Sequence, residues 1–114
     1  MTRHDDIVPL RHMLDHAREA VEAIHGRQRD DLKRNRILQL ALVRLVEIVG
    51  EAAARVSQEG RERYPAIPWQ QAIGMRNRLI HGYDAIDPDV LWDTIQDDLP
   101  ALMVRLCEAL GEGA

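Results

Sequence analysis

Between Ile37 and Val56, apolar side chains recur at spacings of three and four: Ile37, Leu38, Ala41, Leu45, Ile48, Val49, Ala52 and Val56. That period predicts an α-helix. Leu40, Leu42, Val43 and Val46 widen the apolar surface beyond one stripe, and such a helix needs more than one partner surface. It is either central in a bundle or also at a dimer interface. Asp30 and Asp31 can cap its start, so one long helix is expected from there to about Val56. Gly50, in its interior, costs roughly 1 kcal/mol relative to Ala. It marks either the close approach of a neighbouring helix or a merely tolerated position.

The rest of the chain reads in the same period. Ile7, Leu10, Leu14, Ala17, Val21 and Ile24 form one stripe, predicting a first helix from about Asp6 to Ile24. Asp5 or Asp6 would cap it, Pro9 would fall in its first turn, and Gly26 would end it. Ser57, Gly60, Pro65 and Pro68 mark residues 57–68 as a connection with at most one short helical turn. A third helix is expected from Trp69 to about His81, with Gly82 as its C-terminal cap. Asp87 followed by Pro88 is a strong start signal for a fourth. Pro100 should kink or divide that helix, because it removes a backbone donor. The expectation is an all-α, four-to-five-helix up-down bundle, with residues 1–114 as a single domain.

Composition sets limits on function. Phe is absent and aromatics make up 4%, so the core must be aliphatic. The net charge of -4 argues against a dedicated nucleic-acid coat. Yet residues 84–114 hold eight acids and one base, whereas residues 1–83 hold fourteen bases and eleven acids. Fourteen of the fifteen basic residues are Arg, whose planar fork suits phosphate. A local basic pocket on an acidic protein fits these numbers. The single Cys107 has no internal disulfide partner and reads as a buried thiol. No apolar run approaches the ~20 residues that span a bilayer, and the start of the chain lacks a signal-peptide core. The expected location is the cytoplasm.

Chemistry concentrates in RNRLIHGY, Arg76 to Tyr83. Five helical positions from Arg76 to His81 turn through about 500°, some 140° past a full turn. The two side chains do not share a face. They converge only if the helix ends at His81 and the imidazole turns back towards the guanidinium. RNA cleavage needs a base for the 2′-hydroxyl proton, an acid for the leaving 5′-oxygen and a cation for the charged phosphorane. His serves either proton role near neutral pH, and Arg binds phosphate oxygens through two donors. A helix C-terminus favours the imidazolium. Neither role calls for a metal or other cofactor. Each chain supplies one such His, so a complete acid–base pair implies two chains. Spacing alone is a weak pattern, equally consistent with an ordinary helix that carries an Arg and a His.

The wider wording is more specific. GMRNRLIHGYD, preceded by IPW at Ile67–Trp69 and followed by VLWDTIQDDLP at Val90–Pro100, resembles the HepT-like branch of the HEPN superfamily, as does IVGEAA at Ile48–Ala53. The resemblance spans roughly Ile37 to Leu106. It implies a helical homodimer in which the RxxxxH motifs of two subunits meet in a cleft, acting as a metal-independent endoribonuclease toxin. Arg76 and His81 match the motif's catalytic Arg and His. Asn77 fits the polar residue that often follows the Arg, and Asn77, Arg78 and Glu51 are the expected supporting residues. Tyr83 matches the tyrosine of the extended RxxxxHxY form. The resemblance implies that a nucleotidyltransferase antitoxin of the minimal (MNT) type adenylylates this tyrosine. Such a modification would place bulk and negative charge where RNA phosphate binds. The chain has no nucleotidyltransferase signature of its own, so that partner is expected to be a separate polypeptide. The alternative from another class is a non-catalytic helical adaptor that docks on a minimal nucleotidyltransferase and holds its substrate. It would need Tyr83 but not His81.

Four other features carry less. His12 and His16, at i and i+4, could hold zinc with Glu19 as a third ligand, but they read first as surface polar residues. The charged run Arg27–Arg36 reads as a solvated helix start, or as a contact for RNA phosphates. Glu51 either orients an Arg near the site or forms a plain surface salt bridge. Trp69 and Trp92 are expected to pack the ends of the bundle.

Overall fold

The computed structural model describes residues 4–81 and 85–113, with His4 and His81 described by backbone alone. Its helices are α1 (His4–Ala23), α2 (Arg29–Lys33), α3 (Arg36–Arg55), α4 (Gln58–Arg63), α5 (Trp69–Leu79), α6 (Pro88–Asp93) and α7 (Leu99–Leu110). A π-helical turn, Thr94–Asp98, joins α6 to α7. Two short strands, β1 (Ile80–His81) and β2 (Ala85–Ile86), pair antiparallel. The all-α, HEPN-like bundle read from the sequence is what the chain forms. Helix α3 packs on α1 and on α5, and α1 also packs on α7. Leu14, Leu42, Val46, Met75, Leu91 and Leu102, drawn from five helices, meet in one aliphatic core.

The long second helix expected from Asp30 is two helices. Asn35 adopts an extended conformation and its side chain accepts a hydrogen bond from the Leu38 N–H, capping α3. The buried Gln39 amide donates to the Leu32 carbonyl at 2.9 Å, satisfying the end of α2. At the start of α2, Gln28 is the N-cap, and Asp31 reaches back to the Gln28 N–H from within the first turn. Asn35→Ala should therefore lower stability by about 1 kcal/mol, whereas Asn35→Asp should cost little. Urea unfolding of the two variants measures this, and equal midpoints would show that the break does not depend on the cap.

Four other readings change. Asp6 lies inside α1, in its first described turn. It is 2% exposed and accepts the N–H and O–H of Ser57 at 2.9 and 2.6 Å. The Ser57 hydroxyl in turn accepts the Gly60 N–H and caps α4. Pro9 lies in the second described turn of α1, not the first. The charged run is not simply solvated, because Arg29 reaches Asp89 and Asp93 at 3.2 and 2.6 Å and Lys33 reaches Asp89 at 3.3 Å, tying α2 to α6. Helix α5 ends at Leu79, two residues before His81.

Several expectations hold. Gly26 takes a left-handed conformation after α1. Asp87 accepts the N–H groups of Asp89 and Val90, with Pro88 as the first residue of α6. Pro100 does interrupt the last long helix: the Leu99 N–H bonds back five residues to Thr94, and the helical path continues across the π turn into α7. Cys107 is buried. The Trp69 indole donates to the Arg61 and Tyr64 carbonyls, and Trp92 packs against the core.

Candidate active site

Helix α5 buries Trp69, Ala72, Met75 and Leu79, a three- to four-residue repeat that turns Arg76, Asn77 and Arg78 outward. Its neighbour α3 crosses it at Gly50. A Cβ built on Gly50 would lie 3.1 and 3.2 Å from the Ala72 and Ile73 carbonyl oxygens. Of the two readings of Gly50, close approach is the one that holds. The approach leaves an open cleft of about 360 Å³ beside the crossing, lined by Glu47, Gly50, Glu51, Ala54, Ile73, Arg76 and Asn77.

The acid that holds Arg76 is Glu47. Arg76 Nε donates to Glu47 Oε2 at 2.5 Å, and Arg44 Nη1 donates to Glu47 Oε1 at the same distance. Glu51, the acid expected to orient a site arginine, lines the cleft, but its contact is with Arg44 at 3.5 Å. Glu47 lies one turn earlier on the same face of α3. Burial alone would raise its carboxyl pKa. The hydrogen bonds from Arg44 and Arg76 outweigh that, and the carboxyl is held below the ordinary carboxylate range. Glu47 is thus ionised wherever an imidazole titrates. A sequence signal for it existed: it is an isolated acid among Val46, Ile48 and Val49, and a charge in such surroundings needs a partner.

Arg76 and Asn77 share the cleft, whereas Arg78 is exposed and does not line it. His81 is in β1, its backbone paired with Ala85. The strand pair is closed by the Asp87 N–H, which donates to the Leu79 carbonyl at 2.8 Å. One residue thus ties off the end of α5 and starts α6. The backbone of His81 therefore lies beyond the last helical turn. Tyr83 and Gly82 lie outside the described residues. His16 Nδ1 is 2.7 Å from the His12 carbonyl oxygen, and among the described residues no three His, Cys, Asp or Glu side chains gather as a metal site.

The sequence profile described as ribonuclease HepT-like matches residues 13–109. The chain belongs to this HepT-like ribonuclease family. The family is a branch of the HEPN superfamily, as the sequence resemblance implied. A Methanocaldococcus jannaschii protein provisionally named an RNase is 31% identical, over 90% of this chain and 94% of that protein. A Caldanaerobacter subterraneus protein, also provisionally named an RNase, is 34% identical over 89% and 90%. A Thermococcus cleftensis protein provisionally named ribonuclease HepT is 36% identical over 78% and 84%. No solved structure matches the chain with significance. Within this HepT-like chain, the matched region contains the whole α3–α5 cleft and the RNRLIHGY segment.

Proposed function

We propose that the chain is a metal-independent endoribonuclease, the toxin of a toxin–antitoxin pair. The observation that carries this reading is the Arg76 guanidinium: it stands on the wall of an open cleft, is tied at Nε alone among the described residues, and opens the motif that His81 closes in a HepT-like chain. The free edge of the guanidinium, Nη1 and Nη2, suits two non-bridging phosphate oxygens. The 2′-hydroxyl oxygen attacks phosphorus and gives its proton to a base. The bond from phosphorus to the 5′-oxygen breaks, and that oxygen takes a proton from an acid. The products are a 2′,3′-cyclic phosphate and a 5′-hydroxyl. His81 supplies one of the two proton transfers, and a second copy of the chain supplies the other.

Dimerisation is supported by the exposed face of α3, where Ile37 is 75% and Leu40 45% exposed. Apolar side chains so open to water favour burial against a partner. The off-switch is adenylylation of Tyr83 by an MNT-type nucleotidyltransferase, and the reaction takes place in the cytoplasm. No helix among the described residues is long and apolar enough to cross a membrane. Purified protein should cleave single-stranded RNA equally well with and without a chelator, and expression of the chain alone should arrest growth unless the nucleotidyltransferase is co-expressed. Chelator-sensitive cleavage would defeat metal independence. Harmless expression together with no cleavage would favour the adaptor reading.

A further inference from the structure

We propose that Glu47 is a positioning residue for the reaction, holding Arg76 by its side edge so that its end edge presents to the scissile phosphate. This rests on the ribonuclease reading above. A guanidinium has two edges that can each bind an oxyanion in two-point fashion: one formed by Nε and one Nη, the other by both Nη atoms. Glu47 bonds Nε, which blocks the first edge and leaves the second for substrate. The carboxylate cannot swing away freely, because its other oxygen is held by Arg44.

The surroundings distinguish this pair from an ordinary surface ion pair. The Glu47 side chain is 24% exposed, against 47% for Arg76 and 58% for Arg44. The acid is thus the least exposed member and acts as the fixed post, with the two arginines as the more exposed arms. Gly50, one turn further along α3, lets the backbone of α5 approach, which brings the post within reach of Arg76. Charge balance gives the post a second consequence. Arg44 and Arg76 are offset by Glu47 and Glu51, so the cleft carries no surplus of positive charge to draw RNA in from a distance. Binding then depends on the geometry of the Arg76 fork, and geometry is what Glu47 sets.

The test compares Glu47→Ala, Glu47→Gln and Arg76→Ala in the full chain, acting on short single-stranded RNA. Glu47→Gln keeps an oxygen that accepts from Nε, whereas Glu47→Ala does not. Glu47→Ala should lower kcat by about ten- to a hundredfold with KM changed less than about threefold, because the fork is misplaced in the transition state. Glu47→Gln should stay within about threefold of the parent. In the Arg76→Ala background, Glu47→Ala should have no further effect. Exchange of the Arg76 Nε proton with water, followed by NMR, should be slow in the parent and in Glu47→Gln and fast in Glu47→Ala. That readout does not depend on activity. A KM that falls in Glu47→Ala would mean that the acid competes with phosphate, and the proposal would be wrong. Unchanged kcat in Glu47→Ala, with Arg76→Ala inactive, would overturn it as well. If Arg76→Ala itself cleaves normally, it is the ribonuclease assignment of Arg76 that fails, while the NMR comparison still decides whether Glu47 holds its side chain.

Discussion

Arg76→Ala is expected to lower kcat for RNA cleavage by about 10²–10³-fold, the loss typical when one preorganised donor to a developing oxyanion is removed. Stability should hardly change. The Arg76 side chain is 47% exposed, and an ion pair so open to water contributes about 0–1 kcal/mol. Arg76→Lys should restore little, since an ammonium cannot bond Glu47 through one edge and grip phosphate with another. His81→Ala should cost about 10²–10⁴-fold, as for the loss of a general acid or base. The double variant should be barely worse than the poorer single one, because the two groups act on one transition state. Cleavage rates at saturating RNA, with unfolding midpoints as the control, measure all four. Full activity in Arg76→Ala would remove the guanidinium from the mechanism.

How far these residues could be read from the sequence depended on how local their determinants are. The start of α6 was fully legible, because Asp87 and Pro88 act on the next three residues. The stripe of α1 was legible for the same reason, since its period reports burial and Leu10, Leu14 and Ala17 are buried. In α3 the helix was legible but its buried face was not, because Leu42, Val43 and Val46 face the core while Ile37 and Ala41 of the expected stripe are exposed. The break between α2 and α3 was visible only in outline. Asn35 is a good cap, but it stands in a charged run, and the Gln39 amide that closes α2 at the Leu32 carbonyl comes from the following helix. The role of Asp6 could not be read at all, because its partner Ser57 lies fifty-one residues away. Locally, an acid near a helix start looks like a cap.

The site divides in the same way. Arg76 and Asn77 were found from the motif, and the structure brings them to one cleft. Choosing between Glu47 and Glu51 required the crossing of α3 over α5, which no single-helix pattern contains. The helical period also carried the third helix on to His81, yet the chain leaves the helix at Leu79. The reason is tertiary: the Leu79 carbonyl is taken by the Asp87 N–H, and Ile80 pairs with Ile86 instead of continuing the turn.

That crossing can be tested directly at Gly50. In Gly50→Ala, the new methyl carbon would meet two backbone carbonyl oxygens at 3.1 and 3.2 Å. Backbone oxygens cannot rotate away, so α5 must shift by a few tenths of an ångström. The helix gains about 1 kcal/mol of propensity from the same change, and the two effects should nearly cancel in the unfolding midpoint. Gly50→Val adds two further methyl groups in the same gap and a β-branched residue in a helix. Overpacking of this kind costs about 1–3 kcal/mol, and the β-branched side chain gives back part of the propensity gain. Activity should respond more steeply than stability. Ile73 and Arg76 are one turn apart on α5, and Gly50 and Glu47 are one turn apart on α3, so widening the crossing moves the arginine away from the acid that holds it. A misplacement of the order of 1 Å can cost about a hundredfold in rate. The expected order is therefore Gly50→Ala with near-normal stability and reduced cleavage, and Gly50→Val with a lowered urea midpoint and cleavage close to that of Arg76→Ala. A Gly50→Val protein that unfolds and cleaves like the parent would mean that α3 and α5 do not need this contact to build the site.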